Sequence, residues 1–279
     1  MTDIAHDFDD AAAYEQFIGR WSRSVGGVFL QWLAPPPHLQ WLDIGCGTGV
    51  FTKLICDRYA PKTVFASDPS EAQIEYATRQ SIAQRAEFHV ADAQALPFAD
   101  SSFDIVTAAL VINFIPDRLP ALAEMRRVLR AGGTVAGYVW DFAAELAPGW
   151  PLRLAMRKVG VNAPNVPGTE DTTAESLRRL FQRAKFECIE TKTIDVTQSF
   201  PCFKDYWRAL SSSYGPTTKI INAMNDAARA RLAETVQAIL PFGENGKIQY
   251  WARANAIKAV VRPEPTRRSC CDIGQGSRK

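Results

Sequence analysis

A seven-stranded, mostly parallel sheet with helices on both faces and an antiparallel last strand pair is the α/β fold this sequence predicts. Three observations carry the prediction. The stretch Trp41-Leu42-Asp43-Ile44-Gly45-Cys46-Gly47-Thr48-Gly49-Val50-Phe51-Thr52 reads as an apolar strand end, a glycine turn and a helix start. Short runs rich in Val, Ile, Phe and Ala at 40–44, 63–67, 86–91, 103–110 and 133–140 alternate with helical segments, the pattern of β-α-β crossovers. After residue 185 two longer strand-like stretches, 186–198 and 246–261, flank a helical, aromatic segment, which places a reversed pair at the sheet edge.

The 279 residues suffice for one large α/β domain with additions, and a hydrophobic content of 47% supports a sizeable core. A formal net charge of +2 leaves no electrostatic footprint for nucleic acid or for a membrane surface. The six cysteines are scattered, without zinc-like spacing, so no metal is expected and a reduced, cytoplasmic compartment is the simplest reading. The acidic start lacks the basic-then-apolar pattern of a signal peptide, and no uncharged apolar run is long enough to span a bilayer. The chain is expected to act as a monomer or homodimer on a small molecule.

Residues 1–10 are polar and acidic, the composition of a frayed end. From 11 to 33 the spacing of Tyr14, Phe17, Ile18, Trp21, Val25, Val28, Phe29 and Trp32 predicts an amphipathic helix. It either packs on the core or, over 1–34, closes as a lid through Tyr14, Arg20 and Trp21. Pro35-Pro36-Pro37 ends it. A strand over 40–44 runs into the glycine turn, where Gly45, Gly47 and Gly49 carry no Cβ, so a ligand can lie against the backbone. The helix opening at Thr48 aims unpaired N–H groups into the same space. Asp43, just before the first glycine, repels a pyrophosphate and attracts an ammonium group.

Thr63 to Ser67 is a short buried strand that delivers Asp68 and Pro69 to its carboxyl end. An acid there, about twenty residues past a glycine turn, can accept hydrogen bonds from both ribose hydroxyls; otherwise it caps the helix from Ser70. The strand at 86–91 ends in Asp92-Ala93, with His89 read as a packed or surface imidazole. The strand at 103–110 is apolar enough to be buried on both faces. It brings Ala109 and Leu110 to the ligand edge and runs on into Val111-Ile112-Asn113-Phe114. Asn113 either holds a substrate oxygen or nitrogen or satisfies local backbone groups. A helix over 119–129 stops at Arg130-Ala131-Gly132-Gly133. The strand over 133–140 delivers Trp140 and Asp141. The proline- and glycine-rich segment 143–170 and the aromatic segment 199–243 read as inserts over the site. Their aromatics either line an apolar chamber, suiting an apolar or planar acceptor, or form the inserts' own core. A helix over 170–184 has Thr172 or Thr173 as its cap, and the tail, 263–279, has a disordered composition.

The motif Asp43-Ile44-Gly45-Cys46-Gly47-Thr48-Gly49 resembles the first motif of the class I methyltransferases that depend on S-adenosylmethionine (SAM). The nearest subgroup is the small-molecule one that includes ubiquinone- and menaquinone-type enzymes. Later motifs follow in order over about 40–142, and Ala131 stands where the family usually has proline. The resemblance implies a Rossmann-like fold with SAM as cofactor, held by the 45–49 loop and by Asp43, Asp68 and Pro69. It implies that Asp92 and Ala93 meet the adenine, that Ala109 and Leu110 lie beside the sulfonium, and that Tyr14 and Arg20 close over the cofactor. It further implies transfer of a methyl group by in-line displacement to O, N or C. No convincing general base stands out; Tyr14, Asn113, Tyr138, Trp140 and Asp141 are the candidates near the reacting atoms. The Asn/Asp-Pro-Pro-Tyr/Phe box of enzymes that methylate amino groups on bases or on protein glutamine is absent. Pro201-Cys202 falls too late in the chain to serve as a cytosine-C5 nucleophile. Two competing classes are a nicotinamide-dependent dehydrogenase, whose glycines are spaced G-x-G-x-x-G instead of G-x-G-x-G, and a SAM-binding protein without catalysis.

Overall fold

The computed structural model describes residues 18–211 and 215–262. In chain order the elements are α1 (Arg20–Leu33), β1 (Gln40–Ile44), α2 (Val50–Arg58), β2 (Thr63–Asp68), α3 (Glu71–Thr78), β3 (Glu87–Val90), β4 (Phe103–Ala109) and α4 (Arg118–Val128). They continue as β5 (Leu129–Trp140), α5 (Trp150–Lys158), α6 (Ala174–Arg183), β6 (Glu187–Phe200), α7 (Phe203–Ser211), α8 (Gly215–Ala223), α9 (Asp226–Ile239) and β7 (Ile248–Val260). The strands form one sheet in the order β3-β2-β1-β4-β5-β7-β6. β1 pairs in parallel with both β2 and β4, and β7 lies antiparallel to both β5 and β6. Among the described residues β7 is therefore the reversed strand, slotted between two that run with the rest. From β1 the chain first builds outward through β2 to β3, then returns to lay β4 on the other side. That reversal opens a crevice outside the carboxyl ends of β1 and β4, where open α/β sheets bind ligands.

Alternation along the strands decides which layer each side chain joins, because successive residues point to opposite faces. Trp41, Ile105, Ala136 and Tyr138 pack with Trp21, Phe29 and Ile55 of α1 and α2. Their neighbours Leu42, Val106, Val135 and Val139 pack with Leu122 and Met125 of α4 and with Leu177 and Phe181 of α6. In α1, Trp21, Val25, Phe29 and Leu30 are fully buried on one helical face, each worth about 1.5–3 kcal/mol of burial. The described part of the N-terminal helix therefore packs on the core. It closes at Ala34, in the left-handed region at φ 46°, whose N–H reaches the Leu30 carbonyl.

Some boundaries moved. The segment read as a helix stop at 130–133 already belongs to β5, because a register shift between Phe103 and Ile105 and a left-handed Gly132 (φ 79°) absorb the extra residues. Of the two candidate caps for α6, Thr173 forms a capping box with Ser176. The Thr172 hydroxyl instead accepts from Ala143 N and donates to Thr169 O. His89 stacks on Phe65, with ring centroids 5.8 Å apart, in an aromatic cluster with Phe98. Tyr14 and the tail lie outside the described residues.

Candidate active site

The crevice at the switch point is a cavity of about 760 Å³, a size suited to a cofactor together with a small substrate. Its floor is residues 45–48 of the glycine loop; Gly49, expected at the site, does not line the cavity and faces Phe88 and Ile82 instead. Gly45, Gly47 and Gly49 all have positive φ (66°, 52° and 82°), a conformation that costs other residues strain. The glycines do different work. A Cβ on Gly45 would strike the Val111 side chain at 2.4 Å, so Gly45 lets the end of β4 close on the loop. A Cβ on Gly47 would meet only Gln73 Oε1, at 3.9 Å; it would project into open space on the ligand side. Cys46 and Thr48 line the cavity between them, as do Val50 and Phe51 in the first turn of α2. Burial pushes the Cys46 thiol well above its ordinary pKa, and the Asp68 and Asp43 carboxylates add to this, so it stays a protonated wall group.

Asp68, at the carboxyl end of β2, lines the same cavity. Its Oδ2 accepts from Gly47 N and its Oδ1 from Ser70 N, each at 2.9 Å. The carboxylate thus ties the glycine loop to the start of α3 and is held at a fixed angle. The helix-cap role belongs to Ser70, whose hydroxyl accepts from Gln73 N. Asp92 lines the cavity beyond β3, its Oδ1 accepting from Gln94 N at 2.9 Å. Pro69 and Ala93 flank the two acids, and Ala109, Leu110 and Tyr138 form the wall at β4–β5. Leu110 has φ 62° and donates its N–H to Tyr138 O at 2.7 Å. A left-handed leucine at the mouth of a ligand cavity is local strain of the sort found at functional sites.

Several expected site residues are elsewhere. Asp43 does not line the cavity. It is fully buried behind the loop, its Oδ2 accepting from Thr52 Oγ1 (2.7 Å) and its Oδ1 from Thr107 Oγ1 (3.2 Å). Loss of solvent raises its pKa to about 7 against the two hydroxyl hydrogen bonds. It pins β1 to α2 and β4. Arg20 points the other way along α1: its guanidinium donates to Ser199 O and sits 4.7 Å over the Phe200 ring. Asn113 is buried, with its amide donating to Pro167 O at 3.1 Å, so it fastens the 143–170 segment to the end of β4. Trp140 packs edge-on against Trp21, and Asp141 caps a turn by accepting from Ala144 N; neither lines the cavity. No described lining residue comes from 143–170 or 199–243. The aromatics of the second segment, Phe200, Phe203 and Tyr206, pack on one another and on Tyr250. The sequence reading missed Ser22, Gln73 and Phe114, which do line the cavity. Ser22 was legible as the residue after Trp21 on the helix edge, whereas Phe114 depends on a 3₁₀ turn, Ile112–Phe114, that periodicity does not show.

Comparison with known proteins agrees with this geometry. Residues 42–137 match the methyltransferase domain family. The chain is 34% identical over 190 residues to the biotin biosynthesis bifunctional protein BioHC of Cellvibrio japonicus, covering 67% of this chain and 35% of that protein. It is 33% identical over 135 residues to a demethylmenaquinone methyltransferase of Bacteroides fragilis, covering 45% of this chain and 55% of that one. The chain therefore spans about a third and about half of the length of these curated relatives. Phosphoethanolamine N-methyltransferase 2 of Haemonchus contortus, solved in complex with S-adenosyl-L-methionine, shares the fold at a TM-score of 0.55 and 19% identity, over 90% of this chain and 56% of that one. The glycine loop, the start of α2 and Asp68 lie on one sheet edge within the segment 42–137, and it is this segment that is similar to the methyltransferase domain family.

Proposed function

We propose that the protein transfers a methyl group from SAM to a small-molecule acceptor by in-line displacement. The observation that carries this reading is the convergence of the glycine loop, Asp68, Asp92 and Tyr138 on one cavity at the switch point. The residues fit the cofactor: Gly47 leaves a bare backbone face toward the cavity, and the Asp68 carboxylate is held at the cavity wall by Gly47 N and Ser70 N. In this reading Asp68 accepts from the ribose hydroxyls, and Asp92 and Ala93 bracket the adenine. The loop Gly45–Gly49 and the first turn of α2 receive the carboxylate. Since Asp43 is out of reach, the ammonium group is left to backbone carbonyls at Gly45 and at Ala109-Leu110.

SAM supplies an already activated methyl group on a sulfonium. The chain's task is to hold an acceptor in line with it and keep water out. Such positioning can supply roughly 7–11 kcal/mol of the barrier. Phe51, Leu110, Phe114 and Tyr138 form the wall that does so. Of the candidate bases, Tyr138 is the one among the described residues that reaches the cavity.

The dehydrogenase reading keeps one argument against it and loses another. The glycine spacing still disfavours it, but a buried Asp43 no longer discriminates an ammonium from a pyrophosphate. Calorimetric titration with SAM and with NAD separates the two: SAM binding without NAD binding is expected. Release of S-adenosylhomocysteine across a metabolite panel separates an enzyme from a binder. If SAM binds and no panel member elicits release, the binder reading is favoured.

A further inference from the structure

A second, smaller cavity of about 220 Å³ lies at the amino ends of β1, β4 and β5, on the sheet edge away from the glycine loop. Leu33, Pro35, Leu39 and Ile105 give it an apolar side, and Cys188 lines it together with Val260. Cys188 is exposed and its thiol is free. It has φ 51° and sits within the register shift between Glu187 and Glu190 on β6. A left-handed residue other than glycine is strained, and bulges re-aim side chains at sites with a use for them.

The chain leaves the described fold at the same place. Glu187 pairs in register with Val260, and its carboxylate meets Arg262 at 3.5 Å. The sequence that follows, 263–279, lies outside the described residues and contains Cys270 and Cys271. Fully extended, the stretch from Arg262 to Cys270 or Cys271 spans at most about 30 Å. The other exposed thiol, Cys202, lies past the far end of β6 (Glu187–Phe200), about 43 Å along the strand. Cys46 and Cys56 are buried. Of the four cysteines in the described residues, Cys188 is thus the exposed one within reach. A link between Cys270 and Cys271 themselves is disfavoured, because adjacent Cα atoms stand about 3.8 Å apart and a disulfide spans about 4.4–6.8 Å.

We propose that Cys188 is an oxidation site that forms a disulfide with Cys270 or Cys271 when the chain meets hydrogen peroxide, fastening the segment after Arg262 across this cavity. The Cys188 sulfur attacks the peroxide. An S–O bond forms, the O–O bond breaks, and the departing hydroxide leaves as water with the thiol's proton. The tail sulfur then attacks the Cys188 sulfenic acid. The S–S bond forms, the S–O bond breaks, and a second water carries off the tail thiol's proton. Two thiols are oxidised and one peroxide is reduced. Because the tail is anchored beside Cys188 through Val260, its thiols outcompete those of a second chain by effective concentration. The site is remote from the cavity at the carboxyl ends of the strands and does not rest on the methyltransferase reading.

The test treats the reduced full chain with hydrogen peroxide, blocks remaining thiols with N-ethylmaleimide and digests with trypsin without reduction. Cleavage after Lys185, Lys192, Arg268 and Arg278 puts Cys188 in the peptide Phe186–Lys192 and both tail thiols in Ser269–Arg278. Mass spectrometry of the monomer band is expected to show these two peptides joined and to show them separate after dithiothreitol. The joined species should exceed any link from the tail to Thr193–Lys204, which holds Cys202, by at least about tenfold. In Cys188→Ser, peroxide should leave the tail peptide without a partner in the same chain. Recovery of Cys188 as its maleimide adduct overturns the proposal, as does a tail peptide closed on itself. A link confined to the dimer band, or one to Thr193–Lys204 of equal yield, overturns it too.

Discussion

At the β2–β3 end of the cavity, Asp68 and Asp92 are tied into the backbone by the N–H groups of Gly47, Ser70 and Gln94, whereas at the β4–β5 end Phe51 and Tyr138 pack ring to ring, and Leu110 and Phe114 line the cavity with them. The first arrangement presents fixed acceptors to a polar ligand and tolerates little change in the chain path. The second presents a shape and changes with every side chain in it. One sheet edge therefore carries a polar clamp whose geometry is set by turn chemistry, beside a wall whose geometry is set by the core. Substitutions in the two halves should separate cofactor affinity from stability and acceptor choice.

The largest effect is expected at Gly47. Gly47→Val puts a branched side chain into the ligand space at a left-handed φ. SAM binding should be lost by calorimetry while circular dichroism stays native; retained binding would break the clamp half of the comparison. Next comes Trp140→Ala. Trp140 is 5% exposed, packed on Trp21 and absent from the cavity wall, so denaturant melts should show a loss of about 3–5 kcal/mol. A stable variant with impaired methyl transfer alone would return Trp140 to the substrate side. Asp68→Ala should weaken SAM by about 1.5–3 kcal/mol, the worth of hydrogen bonds to a charged acceptor. Unchanged affinity would remove the ribose assignment.

Asp43 sharpens the comparison through pH. Its carboxyl binds a proton more tightly in the folded chain, at about 7, than at its ordinary 3.8. The stabilisation linked to it is therefore full below about pH 4 and is lost as pH rises to about 7, at up to about 1.4 kcal/mol per pH unit. Asp43→Asn should flatten that part of the stability–pH curve, and an unchanged slope would show that another group sets it. The smallest effect is expected for Asn113→Ala, which frees Pro167 O. About 1 kcal/mol of stability should go, with SAM affinity unchanged.

Much of the clamp was legible in the sequence because turn chemistry is local. Three glycines at alternating positions, and acids at the carboxyl ends of two short strands, needed only the strand boundaries to be roughly right. The misplaced residues fail for a common reason: distance along the chain locates a residue on an edge but does not say which neighbour its side chain meets. Asp43 ends a central strand covered on both faces, so its carboxylate turned to Thr52 and Thr107. Trp140 shares its face with Tyr138, yet two residues further along β5 that face is filled by α1. Arg20 could have swung toward the cavity or toward β6, and Phe200 with the Ser199 carbonyl drew it to β6. The inserts were legible as helical and aromatic, but only their packing on Tyr250 shows that they bury each other.

The most direct test of the central claim is a crystal structure of the full chain with SAM bound. The account predicts the ribose at Asp68, the adenine at Asp92 and the methyl group facing Leu110 and Tyr138. A nucleoside bound away from Asp68 and Asp92, or a methyl group turned toward β2–β3, would contradict it.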